Sequence, residues 1–179
     1  MLKRENTALI IIDIQGTLST IMHERDRLIT QACKLIRGAR VLGIPVIWNE
    51  QYPKGLGPTV PEIAGLLQNM QPLEKRSFSC CGSEQFNKAL EALNRKHLIV
   101  SGIETHICVY QTVRDLLSRG YTVEVAADAV SSRTALDMHT GLAKMAGLGA
   151  SATTVETALF ELLGDSRDPA FKEISSIVK

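Results

Sequence analysis

Leu98-Ile-Val-Ser-Gly-Ile-Glu-Thr-His-Ile-Cys-Val-Tyr-Gln-Thr112 decides the fold of this chain. The apolar run Leu98–Val100 has the branching and brevity of a buried strand. Small residues, Ser101 and Gly102, stop it. Helical spacing begins at Thr105 and runs to Leu117, with Gly120 as the stop signal. A strand passing directly into a helix is the repeating unit of an α/β fold. It also places Cys108 in the first turns of that helix. Helix N-termini carry unpaired N–H groups and partial positive charge. The position is therefore expected to favour a thiolate and an oxyanion forming beside it.

The same alternation extends in both directions. Upstream, Thr7–Ile12 is a near-continuous aliphatic run, as in a central parallel strand covered on both faces. Arg25–Leu42 repeats apolar residues at helical spacing (Leu28, Ile29, Ala32, Leu35, Ile36, Ala39) and ends at Gly43. Ile44–Trp48 reads as a second strand. Gln51–Pro61 holds three of the six prolines and two glycines, and reads as a long loop. Glu62–Leu67 reads as a short helix, and Ser83–Leu93 as a longer one capped by Ser83. Downstream come a strand at Tyr121–Ala126, a helix at Thr134–Met145 and a short edge strand at Ala150–Thr153. Helices at Val155–Leu163 and Pro169–Ile177 close the chain. The pattern predicts an α/β fold: a three-layer αβα sandwich around a central, mainly parallel, Rossmann-like sheet. No repeat, linker or low-complexity segment interrupts it, so residues 1–179 read as a single domain.

Composition narrows the function classes. Hydrophobic residues make up 45% of the 179, enough for a packed core without metal or disulfide staples. The net charge is +1 and there is no basic block, which argues against nucleic acid or an anionic membrane as partner. No apolar run is long enough to span a bilayer. The N-terminal Met1-Leu-Lys-Arg-Glu-Asn6 lacks the apolar region of a signal peptide. Cys33, Cys80, Cys81 and Cys108 do not form a disulfide framework. They read as reduced thiols, and the chain as cytoplasmic. The adjacent pair Cys80-Cys81 lacks CxxC spacing and reads as core packing.

Sites in open parallel sheets form beyond the carboxyl ends of strands. Three candidate residues fall at such ends: Asp13, after Ala8-Leu-Ile-Ile-Ile12, Lys75 and Cys108. Lys75 lies in Pro72-Leu-Glu-Lys-Arg-Ser-Phe-Ser79, ahead of a helix. A cysteine nucleophile needs a base, and a partly buried carboxylate with a raised pKa is one. An ammonium nearby would hold the carboxylate and favour the thiolate. Each residue also has an ordinary reading: a buried thiol, a turn carboxylate, a surface lysine with Arg76 beside it.

Three segments together resemble the signatures of the isochorismatase-like cysteine hydrolases: Ile11-Ile-Asp-Ile-Gln15, Glu74-Lys-Arg-Ser-Phe-Ser79 and Gly102–Thr112. The resemblance covers nearly the whole chain in order. It selects Lys75 over Arg76 and implies an Asp13–Lys75–Cys108 catalytic triad. It implies a cis peptide at Ile103–Glu104 and an oxyanion hole made by the backbone N–H groups of Glu104 and Cys108. Gln15 and Phe78 are expected in the substrate pocket. The implied activity is hydrolysis of a small amide, imide or ester through an acyl-enzyme, with a small-molecule substrate and a homo-oligomeric assembly. Nicotinamidases of this family bind metal through an Asp/His cluster. The matching stretch here, Trp48-Asn-Glu-Gln-Tyr-Pro53, has no histidine. His23, His97, His106 and His139 show no pair at ligand spacing. No metal and no other cofactor is expected. Two rivals remain open: a vinyl-ether hydrolase of isochorismatase type that dispenses with the cysteine, and a non-catalytic protein-binding member of the fold.

Overall fold

A computed structural model describes Met1–Lys179. Six strands form one sheet: β1 (Thr7–Ile12), β2 (Val46–Gln51), β3 (Leu73–Lys75), β4 (His97–Ile103), β5 (Thr122–Ser131) and β6 (Ser151–Thr153). Their order is β3-β2-β1-β4-β5-β6, and every pairing is parallel. The chain thus winds outward from β1 in one direction, then returns to start β4 on its other side. The crevice beyond the carboxyl ends of β1 and β4 is the topological switch point, where such sheets place ligands.

Side chains of β1 alternate between two cores, as strand geometry requires. Leu9 and Ile11 join a cluster with α2 (Arg25–Val41), α8 (Val155–Leu163) and α9 (Phe171–Val178). Ala8, Ile10 and Ile12 join the opposite cluster with α5 (Glu84–Leu93), α6 (Tyr110–Ser118) and α7 (Ala135–Gly147). All six β1 residues are buried, so the strand shows no polar face in sequence. No helix is long and apolar enough to cross a membrane.

The structure departs from the sequence pattern at several elements. A one-turn α1 (Gly16–Thr20) follows β1, and the proline-rich loop holds two further turns, α3 (Pro53–Leu56) and α4 (Pro61–Ala64). Proline at the first helical position suits both of these short turns. Strand β3 has only three residues and no apolar pattern to announce it. Strand β5 continues past Ala126 to Ser131 because its interior polar group is satisfied. Asp128 accepts from Gln31 Nε2 of α2 at 3.0 Å and from the Val155 amide at the start of α8 at 2.9 Å. The β4–β5 register shifts between Val100 and Gly102. Ser101 Oγ fills that gap by donating to the Ala129 carbonyl at 2.7 Å.

Candidate active site

Three adjacent strands end in interlocked polar residues. Asp13 follows β1, Gln51 closes β2 and Lys75 closes β3. Asp13 has φ 53, a left-handed conformation that Asp tolerates better than most residues. Its amide donates to the Asn49 carbonyl at 3.2 Å, which turns the chain off β1. Lys75 Nζ donates to Asp13 Oδ2 at 2.6 Å and Gln51 Oε1 at 2.7 Å. It also reaches the carbonyls of Phe78 at 3.1 Å and Ser77 at 3.3 Å. Asp13 is 1% exposed and Lys75 4%, so this ion pair is shielded from water.

Cys108 comes from the other side of the switch point. Strand β4 ends at Ile103, the Ile103–Glu104 peptide is cis, and Thr105–Val109 forms a single π-type turn before α6. The Val109 amide donates to the Glu104 carbonyl at 3.2 Å, the wide spacing of that turn. α7 packs its backbone on the turn at Gly141. A Cβ there would lie 2.9 Å from the His106 nitrogen and the Thr105 carbonyl. The thiol therefore sits on a turn clamped by a neighbouring helix, where helical spacing had suggested a continuous helix from Thr105.

A cavity of ≈ 100 Å³ opens onto Cys108. Asp13 and Cys108 lie at its base, and Leu18, Leu56, Phe78 and Ile107 form apolar walls. Gln51, Ile103 and Glu104 complete it. A larger cleft of ≈ 430 Å³ lies at the amino end of β2, between Ile44–Val46 and Gly65–Met70. No nucleophile faces it, so the smaller cavity is the candidate site.

Electrostatics here reverse one expectation. Burial pushes the Cys108 thiol up to about 12, and the negative charge of Asp13 adds to this against the opposing Lys75. The first-turn position does not make a resting thiolate. Burial also raises the Asp13 carboxyl above its ordinary 3.8, with Lys75 pulling it back down and Glu50 adding to the rise. Asp13 Oδ1 is buried with no hydrogen-bond partner. The site thus holds a neutral thiol next to a carboxyl group whose Oδ1 has no partner.

Gln15 requires a correction. Its amide donates to the carbonyls of Gly57 at 2.7 Å and Gln51 at 3.2 Å, and accepts from the Gln51 amide at 2.6 Å. It is fully buried and is absent from the cavity wall, so it ties the proline-rich loop to β2 instead of meeting substrate. Phe78, 54% exposed, does line the cavity. Gln51, Leu18, Leu56 and Ile107 were not singled out in the sequence. The Glu104 carboxylate, buried at the cavity edge, accepts from Arg133 Nε at 2.8 Å. Around Trp48–Gln51, Asn49 donates to the Ile11 carbonyl and Glu50 accepts from the Thr59 amide and hydroxyl.

Residues 7–157 match the isochorismatase domain model. The chain is 37% identical over 175 residues to isochorismatase domain-containing protein 2 of Bos taurus, covering 97% of this chain and 83% of that one. The structure of MAR1 ribonuclease from Caenorhabditis elegans superposes with a TM-score of 0.94 at 39% identity, covering 99% of this chain and 91% of that one. The YcaC gene product of Escherichia coli, described as an octameric hydrolase of unknown specificity, superposes with a TM-score of 0.93 at 24% identity. That match covers 98% of this chain and 88% of the other, and shows shared fold. A family model matched over most of the chain and relatives matched over nearly all of it show that the chain belongs to the isochorismatase domain family.

Proposed function

We propose that this chain is a cysteine-dependent hydrolase of a small amide, imide or ester. The observation that carries the reading is the unpartnered, buried Oδ1 of Asp13 beside a neutral thiol, with Oδ2 fixed by Lys75 at 2.6 Å. A thiol held near 12 does not attack spontaneously at neutral pH, so its proton must leave as the carbon–sulfur bond forms. Asp13 takes that proton as the Cys108 sulfur attacks the substrate carbonyl carbon. The backbone N–H groups of Glu104 and Cys108 hold the oxyanion. Asp13 then returns the proton to the leaving amine or alcohol, and an acyl-thioester remains. Water, deprotonated by Asp13, attacks that thioester and releases the carboxylic acid and the free thiol. Lys75 stays charged throughout and keeps Asp13 in place.

p-Nitrophenyl acetate and a panel of primary amides test this. The wild-type chain is expected to turn over at least one of them and to show an acetyl adduct on Cys108 by mass spectrometry. Cys108→Ala, with an unchanged fold by circular dichroism, should lose roughly 10³-fold or more. Full activity in that variant would sink the mechanism. Hydrolysis needing Asp13 but not Cys108 would point to the vinyl-ether reading, and no turnover with no adduct to a binding role.

The Caenorhabditis elegans neighbour bears a ribonuclease name. An RNA strand needs cations against its phosphates. The cavity here is lined by no lysine or arginine, and the chain carries a net charge of only +1. Small-molecule hydrolysis is therefore the favoured reading, and efficient cleavage of a labelled single-stranded RNA would reverse that order.

A further inference from the structure

We propose that the site selects an uncharged acyl group, and that the Glu104–Arg133 ion pair sets this preference. The inference rests on the hydrolase reading above and names its substrate class. Two carboxylates, Asp13 and Glu104, border the cavity, and no cation lines it. Each carboxylate is already matched by a cation on the side away from the cavity. Lys75 Nζ lies 2.6 Å from Asp13, and Arg133 Nε lies 2.8 Å from Glu104.

The consequence for a ligand is symmetrical. An anionic acyl group would find no cation in the lining to replace the water it gives up, and burying an unpaired charge is costly. A cationic group would find both carboxylates already engaged by Lys75 and Arg133, just as an anionic group finds no cation in the lining, so either ion would lose its water without a matching partner. Leu18, Leu56, Phe78 and Ile107 offer it only apolar surface. A neutral group loses little on entry and gains that apolar contact.

Glu104 is the adjustable half of this arrangement. Lys75 is held by four acceptors and is 4% exposed. Arg133, by contrast, is half exposed, and its guanidinium touches the site only through Glu104. Removing the Glu104 charge would leave Arg133 as an unmatched cation at the cavity edge. Removing the Arg133 charge would leave Glu104 as an unmatched anion next to Cys108.

Alkylating reagents of matched size read this directly, without a known substrate. Iodoacetamide is neutral, iodoacetate anionic and 2-bromoethylammonium cationic. The rate of each at Cys108 is measured by peptide mass spectrometry and divided by its rate with free N-acetylcysteine at the same pH. Iodoacetamide is expected to be favoured over both ions by roughly tenfold or more. Glu104→Gln should shrink the discrimination against iodoacetate, and Arg133→Gln that against 2-bromoethylammonium, each in a chain shown to be folded by circular dichroism. Iodoacetate or 2-bromoethylammonium matching iodoacetamide in the wild type would overturn the proposal and leave the nucleophile assignment standing. Selectivity unchanged in both variants would overturn the role of the ion pair. Failure of all three reagents to modify Cys108 would remove the nucleophile assignment, and this proposal with it.

Discussion

Two opposing influences act on the carboxyl of Asp13, the proposed base, and burial prevails. Burial raises its pKa, and the Lys75 ammonium lowers it. Burial is the largest influence on the Lys75 charge and works against it, but Asp13 together with the neighbouring Cys80 and Cys108 outweighs it, and the ammonium titrates above its ordinary 10.5. The contribution of the ammonium to stability is thus complete below pH 10.5 and is lost only as pH rises past its folded-state value. In the proposed mechanism Asp13 must lose its proton to act, and its raised pKa places that step above 3.8. Iodoacetamide labelling of Cys108 is therefore expected to rise with pH through a midpoint above 3.8. In Lys75→Met the midpoint should move up by about 1–3 pH units, the usual effect of removing a facing charge. The same variant strands a buried carboxylate and should lose about 3–5 kcal/mol in urea denaturation. A midpoint that stays put or falls would contradict this account of Asp13.

Strands β1 and β4 approach so closely at the site that one position admits only glycine. Gly102 pairs with Ile12 and has φ 137. A Cβ there would come within 2.1 Å of the Ile12 carbonyl oxygen, a backbone atom that cannot swing away. Gly102→Ala is expected to push β1 and β4 apart just before Asp13 and Cys108. Acylation of Cys108 should then fall more steeply than thermal stability. Loss of both in step, with wild-type acylation per folded molecule, would show that the glycine serves the sheet alone. Elements with a strong apolar period were legible in the sequence: β1, α2, α5 and α8 all stand close to their expected spans. β3 was not, because three residues at a sheet edge need no apolar pattern to pair. The second half of β5 was not, because Asp128 breaks its apolar run and finds partners only in α2 and α8. The candidate site was legible as residue types at strand ends. Its resting charge was not, because burial outweighs the helix terminus only once the packing around Cys108 is known.

At the scale of the whole molecule, the sheet separates two cores that share no side chain. Ile36 of α2 lies in one, and Leu90 of α5 in the other. Truncating either to alanine should cost about 2–5 kcal/mol. The double variant should cost the sum to within about 0.5 kcal/mol, because the sites share no contacts. A larger coupling would mean that the sheet transmits strain between its faces. Lys75 joins parts of the molecule that are otherwise independent. The ammonium that matches Asp13 also donates to the carbonyls of Ser77 and Phe78, and Phe78 is a wall of the cavity. Under the proposed mechanism, one side chain therefore bears on both the base that serves the thiol and the wall that bounds the cavity. In evolutionary terms these two traits are not free to drift apart: a lineage that replaced this lysine would alter rate and substrate range in the same step. New specificities are more accessible through Leu18, Leu56 and Ile107, which touch the cavity and none of the charges.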